Sequence, residues 1–233
     1  MDQEKIWAAF QNDPALAESF KAARFRHSRL ISLIARQTGG GVIDPDLKIL
    51  NIGVGDGGFE ALLADRGVKI YSLDPDESAI SRINQLTNRA KCGYSQKIPF
   101  DEAFFDFVVM SEVIEHLSDS AIAETLGEIK RVLRSGGNFF GTTPAEENLV
   151  NSICVCPKCG ERFHKFGHLQ SFSRSRLAET LDGFFTEVKI AREYLDDPKR
   201  LNTRGKIAWF LRNALIKVGS FGQGEQFVWA ARS

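Results

Sequence analysis

Ten residues, Ile49-Leu50-Asn51-Ile52-Gly53-Val54-Gly55-Asp56-Gly57-Gly58, limit most sharply what this chain can fold into. The run into Gly53 is extended and apolar apart from Asn51. The glycines that follow allow a tight turn and let a ligand approach the backbone. Phe59 to Arg66 then reads as a helix, with Phe59, Leu62 and Leu63 on one side. Its first N–H groups are free to meet that ligand. Lys69 to Leu73 is a second apolar strand and ends at Asp74. That acid lies about 20 residues past the glycines, the interval at which a βαβ unit offers a carboxylate to ribose hydroxyls.

Two cofactors satisfy the literal pattern. Gly53-x-Gly55-x-x-Gly58 is a dinucleotide fingerprint; Gly53-x-Gly55-x-Gly57 is that of S-adenosylmethionine (SAM). Charge favours SAM. Asp56 would sit against a pyrophosphate, and two anions repel. SAM instead brings a cationic sulfonium and ammonium. Without a ligand, the same residues are a tight βα turn.

At 233 residues and 43% hydrophobic, the chain is sized for one α/β domain with decorations. Lysine plus arginine equals aspartate plus glutamate at 30 each, so no global charge pulls toward nucleic acid. No apolar run is long enough to span a bilayer. Met1-Asp2-Gln3-Glu4 starts acidic with no apolar stretch after it, which leads us to expect a cytoplasmic protein. Three of the four cysteines crowd into Cys154-Val155-Cys156-Pro157-Lys158-Cys159, and in a reducing compartment such crowding points to a metal.

Residues 2–37 read as helical, with Asp13-Pro14 as a start signal and Leu16, Phe20, Ala23, Leu30, Leu33 and Ile34 as an apolar face. Arg24, Arg26, Arg29 and Arg36 make this segment basic: either a solvated face or a lid that guides an anionic substrate. Residues 1–46 are thus expected to form a helical cap on a domain of residues 47–233. Further on, Pro75 and Asp76 open a helix to about Asn88. Ala90 to Tyr94 is a weak strand, and Phe104 to Met110 a buried one. Ala121 to Arg134 is an amphipathic helix stopped by Ser135-Gly136-Gly137, and Asn138 to Thr143 is the next strand. Alternating strands and helices predict a parallel sheet wound on both faces.

From Leu47 to Pro144, and again from His168 to about Tyr194, the chain resembles the class I SAM-dependent methyltransferases. The matching pieces are Ile49 to Gly55, Asp74, Ile98-Pro99-Phe100, Phe105 to Val109, Ser111 to Leu117, and Arg131 to Gly137. The resemblance implies a doubly wound, seven-stranded, mostly parallel sheet with an antiparallel C-terminal strand. Phe184 to Glu193 and Glu225 to Arg232 would supply the last two strands. Residues 195–224 would be an excursion with a helix at about Thr203–Val218. It also implies that Gly53, Gly55 and Gly57 pass under the amino-carboxypropyl arm of SAM. Asp74, next to Pro75, would hold the ribose diol, and Ser95, Gln96 and Ser111 would flank the adenine and sulfonium. Two positions depart from the family. Asn51 stands where an acid is usual, with Asp56 a possible source of the missing charge. Tyr94 stands where an acid often receives the adenine amino group, leaving a backbone carbonyl or Gln96 to serve.

Glu112, Glu115 and His116 follow the fourth strand at the carboxyl edge of the sheet, spaced to share one helix face. With His168, from the loop after the fifth strand, they form the expected catalytic group. They would hold Mg²⁺ or Mn²⁺, or else supply His116 or His168 as a plain general base. The same run resembles metal-dependent small-RNA 2′-O-methyltransferases and ubiquinone-pathway O-methyltransferases, and it is also common without a metal. Cys154, Cys156, Cys159 and His164 have the spacing of a structural zinc knuckle, inserted at about 150–168, with His168 an alternative to Cys154 as fourth ligand. Unbound reduced cysteines are the plainer reading.

The function expected is methyl transfer from SAM to a small-molecule or sugar acceptor, as O-methylation. Nucleic acid is not the favoured partner. The competing readings are a non-enzymatic methyltransferase-like binding protein, a metal-dependent RNA 2′-O-methyltransferase and an NAD-dependent oxidoreductase. The last would need a substrate domain that residues 145–233 do not provide.

Overall fold

The computed structural model describes residues 6–7, 23–39 and 41–233. Seven strands form one sheet in the order β3-β2-β1-β4-β5-β9-β8. They are β1 (Lys48–Ile52), β2 (Lys69–Asp74), β3 (Ala90–Cys92), β4 (Phe105–Ser111), β5 (Leu133–Pro144), β8 (Thr186–Glu193) and β9 (Gln226–Arg232). β1 to β5 pair in parallel, and β9 runs antiparallel between β5 and β8. This is the α/β architecture the sequence predicts. β6 (Ile153–Val155) and β7 (Arg162–His164) form a separate antiparallel hairpin.

The helices are α1 (Ala23–Gln37), α2 (Gly58–Ala64), α3 (Glu77–Asn84), α4 (Asp119–Val132), α5 (Arg174–Asp182) and α6 (Thr203–Lys217). Strand side chains alternate between faces, and both faces are covered. Leu50, Val108, Met110, Phe139 and Trp229 pack into one core layer with Leu126 of α4 and Leu177 of α5. Ile49, Phe107, Val109, Phe140 and Val228 pack into the other with Phe59 and Leu63 of α2. Leu30, Ile31 and Ile34 of α1 join that second layer. Burying each contributes about 1.5–3 kcal/mol, so α1 belongs to the domain's core. The Asp13-Pro14 start, with Leu16 and Phe20, lies outside the described residues.

One element differs from its sequence reading. Ser135-Gly136-Gly137 does not stop α4. The helix ends at Val132 because Leu133 is already extended, at φ −73° and ψ 136°. The glycines lie inside β5, beside the register shift between Phe105 and Phe107. Further along β5, Gly141 passes under an indole. A Cβ there would meet Trp229 Cζ2 at 2.0 Å, so only glycine fits.

Candidate active site

β1, β2 and β4 end at one edge of the sheet, and a cavity of about 1190 Å³ opens there. Gly53, Gly55, Asp56, Asn51, Asp74, Pro75, Ser95, Gln96 and Ser111 all line it. The turn is held from within by Gly57 N–H donating to the Val54 carbonyl at 2.9 Å, and Arg82 donates to the Gly55 carbonyl at 2.9 Å. Gly53 has φ +83°, and a Cβ there would meet Val113 Cγ2 at 2.6 Å, so the wall must be bare backbone at that point. Asp56 accepts from Gly58 N–H at 2.9 Å at the start of α2. Asp74 accepts from Val54 N–H and Asp76 N–H, both at 2.9 Å, which ties the end of β2 to the turn. Burial pushes its carboxyl above its ordinary value, and those two N–H groups offset only part of that rise.

Asn51 sits deep in this half, and its partner Glu60 is a residue the sequence reading missed. Asn51 Nδ2 donates to Glu60 Oε1 at 2.8 Å and to the Gly53 carbonyl at 3.2 Å. Ser72 Oγ donates to the same Glu60 oxygen at 2.9 Å. Glu60 is fully buried, and burial outweighs these hydrogen bonds to raise its carboxyl to about 7. With both amide hydrogens directed at Glu60 and the Gly53 carbonyl, the amide oxygen of Asn51 is the atom left to face a cation.

Ser95 lines the cavity but turns its hydroxyl to Thr125 Oγ1 of α4, at 2.8 Å. Ser111 belongs to a hydrogen-bond chain of consistent direction. Arg26 Nε of α1 donates to Ser111 Oγ at 3.0 Å, Ser111 Oγ lies 2.9 Å from Thr142 Oγ1, and Thr142 Oγ1 donates to Glu112 Oε1 at 2.9 Å. Arg26 thus reaches the site. Arg29 pairs with Glu193 through two bonds of 2.7 and 2.6 Å and is structural.

Glu112, Glu115 and His116 do not share a helix face. Glu112 adopts the left-handed φ of 56°, and a 3₁₀ turn spans only Ile114–His116. The reversal sets the Glu112 carboxylate against Thr142 and Gln226. Glu115 and His116 do meet His168: one ligand-type atom from each lies within 4.8 Å of the others. Glu147, His164 and His168 form a second such group. The loop that brings His168 here is pinned by Leu169 N–H and Gln170 N–H, which donate to the Glu115 carbonyl at 2.8 and 3.1 Å. Trp7 packs edge-on against His116 at a centroid distance of 4.7 Å.

Protonation states differ sharply within this cluster. Burial, reinforced by the Glu112 charge, raises Glu115 well above its ordinary value and favours its neutral form. Burial lowers His116 to about 3. Its Nδ1 sits 3.1 Å from the Gly167 carbonyl and donates to it, so the buried Nε2 keeps its lone pair. His164 Nδ1 lies 3.4 and 3.1 Å from the N–H groups of Phe166 and His168 and accepts from them, so its Nε2 carries the hydrogen. Glu147 lies between two imidazoles. It is hydrogen-bonded to His168 Nδ1, and Oε1 is 3.4 Å from His164 Nε2. Burial pushes Glu147 up, and the two histidines outweigh that and hold it below its ordinary value. Each group offers one carboxylate and two imidazoles, a donor set poor in the oxygen ligands that Mg²⁺ takes, while imidazole is no obstacle to Mn²⁺ or other transition metals.

The four expected zinc ligands are not gathered. Cys154 pairs opposite Phe163 and His164 opposite Ile153. Directly opposed residues point the same way and neighbours alternate, so Cys154 and His164 face opposite sides of the β6–β7 hairpin. Among the described residues, neither group with metal-ligand spacing contains a cysteine. What forms is the turn alone. The N–H groups of Cys159 and Lys158, then the Cys159 thiol, all aim at Cys156 sulfur and lower its thiol.

A glycine turn, an acid ending β2 and a cavity at the carboxyl edge of the sheet define a nucleotide-type cofactor site on a doubly wound domain. Comparison with known proteins names the family. The model of a family described as a methyltransferase domain matches residues 22–184. A probable S-adenosylmethionine-dependent methyltransferase of Mycolicibacterium smegmatis is 30% identical over 178 residues, covering 76% of this chain and 63% of that protein. A sarcosine/dimethylglycine N-methyltransferase of Halorhodospira halochloris is 30% identical over 152 residues, 61% of this chain and 51% of its own. The chain thus spans less than two thirds of the length of these relatives. The fold is shared with the 1,6-didemethyltoxoflavin-N1-methyltransferase of Burkholderia thailandensis, solved with S-adenosylhomocysteine: TM-score 0.68, 17% identity, 99% of this chain and 86% of that one. The chain belongs to the SAM-dependent methyltransferases, which resolves the glycine pattern in favour of SAM. Among the described residues no helix is long and apolar enough to cross a membrane.

Proposed function

We propose that this protein transfers the methyl group of SAM to a hydroxyl of a small molecule or sugar, with His168 as general base and Glu147 as its positioning partner. The observation that carries this reading is the Glu147–His168 hydrogen bond on a side chain that lines the cofactor cavity. The cavity residues fit SAM: bare backbone at Gly53, an acid at Asp74, and the Asn51 amide oxygen for an ammonium. Bound there, SAM supplies an already activated methyl electrophile, so the chain's main task is alignment, an effect of up to about 7–11 kcal/mol.

A hydroxyl acceptor must also lose its proton. By accepting Nδ1–H of His168, Glu147 leaves the Nε2 lone pair to take that proton and sets a negative charge beside the imidazolium that results. His116 offers a lone pair too, but at a pKa of about 3 it holds a proton poorly. Arg26 and Ser111 mark the side of the cavity where α1 closes over β4. Relatives that act on nitrogen and on oxygen share this fold, the latter including a malonyl-[acyl-carrier protein] O-methyltransferase of Serratia marcescens. The base is therefore what supports oxygen here. The test is to incubate the protein with SAM and a panel of small alcohols, sugars and amines and read the mass of one added methyl group. Methylation confined to amines, undiminished in His168→Ala, would remove the base from the reaction.

A further inference from the structure

Helix α6 carries an apolar surface that the fold does not use. Twelve large hydrophobic side chains are exposed among the described residues, and six of them lie between Ile207 and Phe221. Ile207, Phe210, Leu211, Leu215 and Val218 recur at intervals of three and four and share one outward face. Phe210 is 68% exposed and Val218 79%. The inward face is already satisfied. Ile216 is buried, Trp209 packs edge-on against Phe25 at 6.0 Å, and Asn213 holds the Tyr194 backbone. α6 is therefore apolar on two sides, one anchored to the domain and one facing out.

Charge identifies what covers the outward side. From Pro198 to Gly224 the chain has no acid and six cations: Lys199, Arg200, Arg204, Lys206, Arg212 and Lys217. Arg212 is engaged by Glu225 at 3.5 Å; none of the other five forms an ion pair with a described residue. At about 100° per residue, Lys206 and Lys217 fall along one edge of the exposed stripe, Arg212 lies beyond the other, and Arg204 sits within it between Leu211 and Leu215. An apolar face with cationic margins and no acid matches an anionic lipid surface. The hydrocarbon side chains enter the acyl boundary while ammonium and guanidinium groups meet headgroup phosphates. A second copy of α6 would set cations against cations.

We infer that α6 docks this protein on anionic bilayers. The segment that follows, Gly222 to Gln226, lines the cofactor cavity. Docking would therefore bring the rim of the cavity to the headgroup layer, where a lipid-borne acceptor is presented. That consequence rests on the acceptor reading above; docking itself does not, because it is measured without methyl transfer.

The experiment sediments the full chain with phosphatidylcholine vesicles, with and without phosphatidylglycerol. Binding is expected only with the anionic lipid, and it should weaken as salt rises. The variants Phe210→Ser/Leu211→Ser and Lys206→Glu/Lys217→Glu should each lose roughly tenfold or more in vesicle affinity. Both should keep the parent's affinity for SAM by calorimetry, which shows that they are folded. Failure to bind, or equal binding to neutral vesicles, overturns the inference. So does light scattering that finds a dimer which Phe210→Ser/Leu211→Ser dissociates, because the stripe is then covered by a second copy.

Discussion

Gly53, Gly55 and Asp74 reach the cavity from two consecutive strands joined by one helix, whereas His116, Glu147 and His168 are spread along more of the chain and enter on a 3₁₀ turn and two loops, with His164 of the hairpin behind them. The first group is held by backbone: sheet register, the Gly57–Val54 turn and the Asp74 bonds to Val54 and Asp76. The second is held by side chains and a few loop N–H groups, chiefly those on the Glu115 carbonyl. A site of this design separates its tasks. On the function proposed above, cofactor affinity would belong to the part that cannot move independently of the sheet, and acceptor chemistry to the part that can change without disturbing it.

The largest expected effect tests that separation directly. His168→Ala should lower kcat by roughly 10²–10⁴, as for loss of a general base, while SAM affinity measured by calorimetry stays with the parent. Glu147→Gln should lower kcat less, since the ring stays in place and only the neighbouring charge is removed. If His168→Ala weakens SAM binding as much as it slows turnover, the two halves are one unit.

The next effect lies in the cofactor half and is one of stability. Burial raises Glu60 to about 7 from 4.5, so the folded state holds this proton more tightly than the unfolded one. The stabilisation is complete below about pH 4.5 and is lost as pH climbs through about 7, roughly 3 kcal/mol in all. The urea midpoint of the parent should fall over that window, and that of Glu60→Gln, which keeps an acceptor for Asn51 and Ser72, should stay flat. Equal pH dependence in the two would show that Glu60 titrates normally.

The same contrast explains what could be read from the sequence. The cofactor half was legible because one strand, turn and helix write it consecutively, and because positive φ and close approach leave marks that only glycine makes. Glu60 was not, because an acid in the first turn of a helix looks solvated until the sheet is folded over it. In the acceptor half, residue types were legible and geometry was not. A spacing of three and four suggests a shared helix face only if the helix forms, and the left-handed backbone at Glu112 breaks that assumption. The ligand spacing around His164 was likewise real, but strand alternation turned the ring toward Glu147 and away from Cys154. Glu147 itself carried no local signal; its role exists only through contact with His168.

A smaller change is expected from Asp74→Asn, which replaces one acceptor oxygen and the negative charge. SAM affinity should fall by roughly 1.5–3 kcal/mol, about 10- to 150-fold, as for one charge-assisted hydrogen bond. At saturating SAM, kcat should stay near the parent value. A variant that binds SAM normally but turns over slowly would place Asp74 on the wrong side of the comparison.

The smallest effect uses one thiol from each half. Cys92 donates to the Pro75 carbonyl at 3.3 Å beside the cofactor loop, and burial with the charges of Glu77, Asp74 and Asp76 pushes its thiol up. Cys156 lies in the hairpin turn, where the N–H groups of Cys159 and Lys158 pull its thiol down. Since the thiolate is the reactive form, iodoacetamide near neutral pH should label Cys156 before Cys92, read by peptide mass, and SAM affinity should survive labelling at Cys156. Zinc would reveal itself in the same experiment. If Cys154, Cys156 and Cys159 were all protected and a chelator released all three together, the thiols would share an ion. Independent labelling of Cys154 is the expected outcome, because its side chain projects from the face opposite His164 and neither group with metal-ligand spacing among the described residues contains a cysteine.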